Sequence, residues 1–220
     1  MSVVTFTDAG KSQWQLIHPW GPFIGKFKLP ESLIQDFNQD CDSTAASKEK
    51  SNLLDWSDNL VGKVKQEVLI NPAVLDKHNV YFSYCVKSYL HSLRKMDSKL
   101  IPVDITKTLE LKYPSAWYVR QFAGDYNPPH VHTNGCLSSV GYLKTPNWDD
   151  ELREDAEDHA PCHGKLMFTH NGVSSWGKSV HFVTPQVGDF YIFPIDLMHQ
   201  VFPFKSVGER RSFSINMVLE

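Results

Sequence analysis

Two histidines one residue apart, His130-Val131-His132, are followed far along the chain by His199 and then by Arg210-Arg211-Ser212. Residues at i and i+2 of an extended segment point to one side, so imidazoles 130 and 132 can converge on one ion, with His199 arriving from a later strand. Arg210 and Ser212 share a face by the same rule and offer a fork of donors to a carboxylate. A three-point metal site with open coordination positions suits oxygen chemistry at ferrous iron. Beside it, an organic-acid clamp points to a redox enzyme with a small acid cosubstrate.

The chain holds ten histidines. Those at 130, 132 and 199 stand apart because of what positions them. His130 and His132 follow Pro128-Pro129, a turn that opens into an extended segment. His199 follows Gly188-Asp189-Phe190-Tyr191-Ile192-Phe193-Pro194, a turn plus a compact apolar strand that would hold it rigidly. Lys205 to Glu209 reads as the turn of a hairpin joining 197–204 to 210–218. Ser214 would then lie opposite His199 and Arg210 about four residues along, roughly 13 Å away. A five-carbon diacid and an arginine side chain span that gap. Tyr118 and Gln121, on the preceding strand, are candidate polar contacts to the acid; strand parity separates them and leaves open which one faces inward. Arg211 should point away as a surface charge.

The supporting elements follow from texture. At 220 residues, 41% apolar and 21% charged, the chain has an ordinary globular balance and the length of one domain. Residues 1–109 read as a mostly helical support, with helical spacing after Pro30 and over 73–96 and a polar stretch at 42–52 that is a loop or a frayed helix end. From about 110 the pattern changes to short β-rich runs at 117–122, 136–143, 164–169, 179–184, 189–193, 197–204 and 210–218. Such spacing points to a sandwich or barrel, so the chain reads as mainly β with flanking helices. Residues 147–161 form an acidic excursion suited to a loop over a pocket mouth.

Other function classes are disfavoured. The net charge of −3 argues against a general nucleic-acid surface. No apolar run approaches the ~18 residues of a membrane span, and the N-terminus lacks a signal-peptide pattern. Four scattered cysteines, Cys41, Cys85, Cys136 and Cys162, fit reduced, buried thiols in a cytoplasmic protein. His159-x-x-Cys162-His163 lacks the second half of a zinc site. Trp148 and Trp176 are read as packing residues.

A family resemblance rests on five ordered blocks: Gly-Asp-Tyr-x-x-Pro-His-x-His-x-Asn at 124–134, Leu-Ser-Ser-Val-Gly-Tyr-Leu at 137–143, Gly-Asp-Phe-Tyr-Ile-Phe-Pro at 188–194, His-x-Val-x-Pro at 199–203 and Arg-x-Ser-x-Ser-x-Asn at 210–216. Over residues 110–220 the chain resembles the 2-oxoglutarate/Fe(II)-dependent oxygenases, in particular the prolyl-4-hydroxylase-like group found in marine phages and bacteria. The resemblance implies a double-stranded β-helix, the cupin-like jelly roll, over 110–220. It implies Fe(II), 2-oxoglutarate and O2 as reactants, hydroxylation of a primary substrate such as a peptidyl proline, and a cytoplasmic site of action (that of the host if phage-encoded). Arg210 matches the family's cosubstrate arginine and Ser212 its Arg-x-Ser partner. The departure is at position 132, where most such oxygenases carry an acid, and a histidine there leaves the iron one unit more positive. Either His130, His132 and His199 form a three-histidine site, or the register is His132-Thr133-Asn134 and His130 supports from behind. Two rivals remain: a three-histidine cupin-type dioxygenase that needs no 2-oxoglutarate, and a jelly-roll binding module without activity.

Overall fold

In the computed structural model the chain is described over residues 2–8, 12–18, 21–97, 99–101, 110–149, 162–170 and 178–220. Within these residues, twelve strands form two antiparallel sheets. The larger has the order β1 (Ser2–Asp8), β2 (Ser12–His18), β3 (Ile24–Lys28), β10 (Asp189–Pro194), β7 (Leu137–Lys144), β12 (Arg210–Leu219), β5 (Leu111–Gln121) and β4 (Gln66–Leu69). The smaller runs β6 (Asn127–His130), β11 (Met198–Val201), β8 (Leu166–Thr169) and β9 (Val180–Val183). This mostly antiparallel two-sheet arrangement with helices on one face is the jelly-roll architecture the sequence suggests.

Side-chain parity divides the large sheet into two faces. On β12, Phe213, Ile215 and Met217 join a core with Tyr118 of β5 and Phe190 and Ile192 of β10. Two helices cover that face: α1 (Glu31–Ala45) contributes Leu33, Phe37 and Cys41, and α4 (Asn79–Met96) contributes Phe82, Val86, Tyr89 and Leu90. Phe37 sits 4.8 Å from Phe213, ring centre to ring centre. Each of these fully buried aromatics stabilises by roughly 1.5–3 kcal/mol. The opposite face looks toward the small sheet, where Tyr142, Tyr191 and Phe193 meet Leu166, Phe168 and Leu197.

The N-terminal part holds the expected helices, and also four strands that were not expected. β3 pairs with β10 and β4 with β5, so sheet pairing crosses the boundary expected near residue 110. The β1–β2 hairpin does alternate, with Val4 and Phe6 on β1 and Trp14 and Leu16 on β2, a pattern that the helical reading of this part passed over. The stretch at 42–52, expected as a loop or a frayed helix end, holds the end of α1 and most of a second helix. Burial of Cys41 and Thr44 carries α1 to Ala45, and Ser47 caps α2 (Lys48–Leu53) by accepting from the Lys50 N–H at 3.2 Å. The helical pattern over 73–96 splits at His78 into α3 (Pro72–Lys77) and α4.

The hairpin expected across 205–209 does not form. β11 belongs to the small sheet and β12 to the large one, so the chain crosses between sheets there. Pro203 cannot donate to a ladder, and Phe204 is buried as a plug whose carbonyl accepts from Gly124. Arg211, expected at the surface, is 1% exposed. It lies on the helix-covered side of β12, where it donates to Glu209 at 2.8 Å, to the Asn38 side-chain oxygen at 3.0 Å and to Asp42 at 2.6 Å. Burial opposes the charge of Glu209, but its hydrogen bonds from Arg211 and Arg120 hold the carboxyl below its usual range.

Cys41, Cys85 and Cys136 are free thiols, although only Cys41 and Cys85 are buried and Cys136 is exposed. Trp148 packs edge-on against Phe204 and donates to the Pro185 carbonyl at 3.0 Å. Residues 150–161, His159 and Trp176 lie outside the described residues, so the expected acidic lid and the zinc reading do too. Among the described residues, no helix is long and apolar enough to cross a membrane.

Replacing Arg211 by Ala should destabilise the protein by about 2–3 kcal/mol, because it removes a buried charged donor from Glu209, Asn38 and Asp42 and leaves Glu209 with Arg120 as its partner. Urea denaturation measures this; a loss below about 1 kcal/mol would show that the cluster is not a tie between α1 and β12.

Candidate active site

The three histidines meet because two short strands pair. β6 contains Pro128 and Pro129, which cannot donate, and it occupies the edge of the small sheet where such residues are tolerated. Its last residue, His130, stands directly across the ladder from His199 of β11. Their rings lie 4.3 Å apart. Just beyond β6 the His132 N–H donates to the Ile195 carbonyl at 3.1 Å, which holds the third ring 5.2 Å from His130 and 5.1 Å from His199. One ring nitrogen from each lies within 4.8 Å of the others. Upstream, the Asp125 carboxylate accepts the N–H groups of Phe122 and Lys65, each at 3.0 Å, and shapes the turn that delivers β6.

The environment keeps these imidazoles neutral. Burial lowers the pKa of His130 below the ordinary histidine range. Burial, then the neighbouring His130, pushes His132 down to about 4 and His199 to about 3. The Nδ1 atoms of His130 and His199 lie 2.7 and 2.9 Å from the Pro128 and Leu197 carbonyls. A carbonyl only accepts, so each Nδ1 carries the proton and each Nε2 keeps its lone pair for a ligand role. Three neutral, oriented imidazoles fit a divalent first-row metal such as Fe(II). Asn134, the alternative position, is exposed.

The same cavity contains Arg210, Ser212 and Gln121. Arg210 is fully buried and stands across the β5–β12 ladder from Gln121. Its Nε donates to the Gln121 Oε1 at 3.0 Å, and its terminal nitrogens donate to the Gly164 and Phe202 carbonyls at 2.6 and 3.2 Å. The guanidinium also stacks over Phe204 at 5.0 Å. A carboxylate arriving here would replace neutral acceptors with a charged one. Gln121 passes the network on, donating to Asn127 at 2.9 Å, which donates to the Val61 carbonyl at 2.7 Å.

Parity settles the choice between the two strand residues. Gln121 faces the cavity, whereas Tyr118 faces the helices, where its hydroxyl donates to Asp40 at 2.9 Å and its ring packs edge-on against Phe37. Tyr118 is therefore not a contact to the acid. Two cavity residues were not anticipated, Asn127 and Glu67. Asn127 sits inside the motif block that ends in the histidine pair. Glu67 had a fainter signal, an acid at the start of the apolar run Val68-Leu69-Ile70.

Residues 115–216 match the sequence model of the family described as "Putative 2OG-Fe(II) oxygenase". Over these residues, which carry every candidate iron and clamp residue, the chain has the sequence of a 2-oxoglutarate/Fe(II)-dependent oxygenase. Its cofactor is Fe(II) and its cosubstrate 2-oxoglutarate. Among solved structures, a prolyl-4-hydroxylase from Pseudomonas putida superposes with a TM-score of 0.56 at 17% identity, covering 90% of this chain and 91% of that one. A Trichoplax adhaerens prolyl hydroxylase, in complex with a hypoxia inducible factor oxygen degradation domain peptide fragment, gives 0.53 at 16% identity, over 87% of this chain and 81% of that one. At such identities the likeness speaks for the fold. No curated protein matches the oxygenase by sequence.

The depressed histidines make acid sensitivity predictable. A base whose pKa is lower in the folded state binds more protons unfolded, so its contribution is complete above about pH 6.5 and is lost as pH falls toward the folded values. Metal-free protein should therefore lose stability between pH 6.5 and about 4 through His132 and His199. Glu67, pushed up to about 7 by burial, has the opposite slope over its own range. The informative quantity is the difference in melting temperature between the wild type and His132→Asn/His199→Asn: the double variant should show the flatter acid limb, and parallel limbs would contradict the assignment.

Proposed function

We propose that His130, His132 and His199 hold the iron, that Arg210 and Ser212 bind the distal carboxylate of 2-oxoglutarate, and that the oxygenase hydroxylates a C–H bond of a peptide, with peptidyl proline the first candidate. The observation that carries this reading is the convergence of three neutral imidazoles in one cavity with a buried arginine on the same inward face. When bound, ferrous iron supplies the capacity to activate O2, with 2-oxoglutarate as the two-electron reductant. The overall balance is substrate C–H, O2 and 2-oxoglutarate going to C–OH, succinate and carbon dioxide.

The protein's part is positioning. The carbonyls of Pro128 and Leu197 fix the tautomers of His130 and His199. Gln121 accepts from the Arg210 Nε and so orients the guanidinium at the cavity wall. Trp117, Val119 and Leu166 line the cavity with apolar surface that raises the worth of each polar contact. The exposure of Asn134 favours the three-histidine set over the alternative register. A peptide substrate accords with the fold shared with prolyl hydroxylases, and the free thiols of Cys41, Cys85 and Cys136 accord with a reducing cytoplasm.

Anaerobic ferrous protein titrated with 2-oxoglutarate should develop the visible charge-transfer band of the chelate. Arg210→Lys keeps the charge but loses the planar fork, and should weaken 2-oxoglutarate binding by roughly 10- to 100-fold with iron content unchanged. His132→Ala should lower bound iron per chain, measured after gel filtration. Full iron retention in His132→Ala would remove that residue from the ligand set. Turnover that is indifferent to 2-oxoglutarate would favour a three-histidine dioxygenase without a keto-acid.

A further inference from the structure

We propose that Glu67 recognises the primary substrate of the oxygenase, pairing with a cationic nitrogen, an ammonium or guanidinium, carried on an aliphatic stem. The proposal rests on the reading of the cavity as the iron and 2-oxoglutarate site.

Glu67 is 5% exposed and lies on β4, directly across the ladder from Val119, whose other neighbour is Ser212. It therefore sits in the row of the proposed 2-oxoglutarate clamp, displaced toward the edge of the sheet. Two inter-strand steps place its Cα roughly 10 Å from that of Ser212. Among the described residues, and apart from the three imidazoles, Glu67 and Arg210 are the only ionisable side chains lining the cavity that can carry a charge near neutral pH. Arg210 is engaged by Gln121 and two backbone carbonyls, and among the described residues no cation forms an ion pair with Glu67. Its partner is the Asn127 amide, a neutral group.

A buried carboxyl without a cation is costly, and an apolar residue of similar size would be cheaper at this position. Burial, opposed by the Asn127 hydrogen bond and reinforced by Asp55, pushes its pKa up to about 7. A cation delivered by a ligand would relieve that cost. A carboxylate would add to it, so the dianionic cosubstrate is directed away from this wall and toward Arg210. Leu60 and Val61 line the cavity beside the acid and offer apolar surface to a methylene stem. They are brought in by Gly62, at φ +139°, where an added Cβ would lie 2.5 Å from the Tyr126 carbonyl. An acid flanked by two aliphatic side chains matches a lysine- or arginine-like group.

The test uses full-length anaerobic protein loaded with Fe(II) and 2-oxoglutarate, with equilibrium dialysis against N-acetyl-lysine methylamide, N-acetyl-arginine methylamide and N-acetyl-norleucine methylamide. At least one cationic probe should bind the wild type tenfold or more tightly than the norleucine probe. In Glu67→Gln that preference should fall within twofold, while the chelate band with 2-oxoglutarate is retained. No preference in the wild type, or a preference that survives Glu67→Gln, overturns the role of Glu67. If the chelate band never forms, the reading of the cavity fails, and the proposal fails with it.

Discussion

The register of β12 between β5 and β7 decides which residues can do chemistry. Arg210, Ser212 and Ser214 stand across from Gln121, Val119 and Trp117 on one side. Ser212 and Ser214 stand across from Tyr142 and Val140 on the other. All of these line the cavity, and the residues between them are committed to α1 and α4. Because the side-chain period of a strand is two, a slip by one residue would put Phe213 in the cavity and exchange Arg210 for Arg211. The aromatic core of Phe37, Phe82, Phe190 and Phe213 therefore does more than stabilise: its burial fixes which arginine serves the cavity.

The two adjacent arginines show how differently one residue type is used. Arg210 donates to the Gln121 side chain and to the Gly164 and Phe202 carbonyls and presents its guanidinium to the cavity. Arg211 is matched to Glu209 and Asp42, and its charge is consumed in holding α1 against the sheet. Replacing either by lysine would not be conservative, since both rely on a planar set of donors.

How much was legible in the sequence follows from what each pattern encodes. The strands from 117 onward and the inward set of His130, His132, His199, Arg210 and Ser212 are consequences of short-range alternation, which a sequence displays directly. What parity could not decide was absolute facing: Tyr118 against Gln121 depended on which side the helices cover, a long-range fact set by Phe37 and Phe213. The same missing information made Arg211 look like a surface charge. The false hairpin at 205–209 had the right turn chemistry, but pairing partners are chosen by the whole sheet order. Glu67 was missed because β4 reaches the cavity only through its pairing with β5, far along the chain.

The pairing of His130 with His199 across β6 and β11 also bears on the chain before it folds. Residues 130 and 199 bound a long stretch that includes β7, β8, β9 and β10, and an ion shared by both histidines would close that stretch into a loop. Metal that binds only the assembled site leaves the unfolded ensemble as it is and adds its binding energy to the folded state, where it holds the two ends of that loop together. β6 is a four-residue edge strand rich in proline, with few ladder bonds of its own. Its persistence in the small sheet would thus be tied to iron supply, making the metal a structural clasp as well as a reagent.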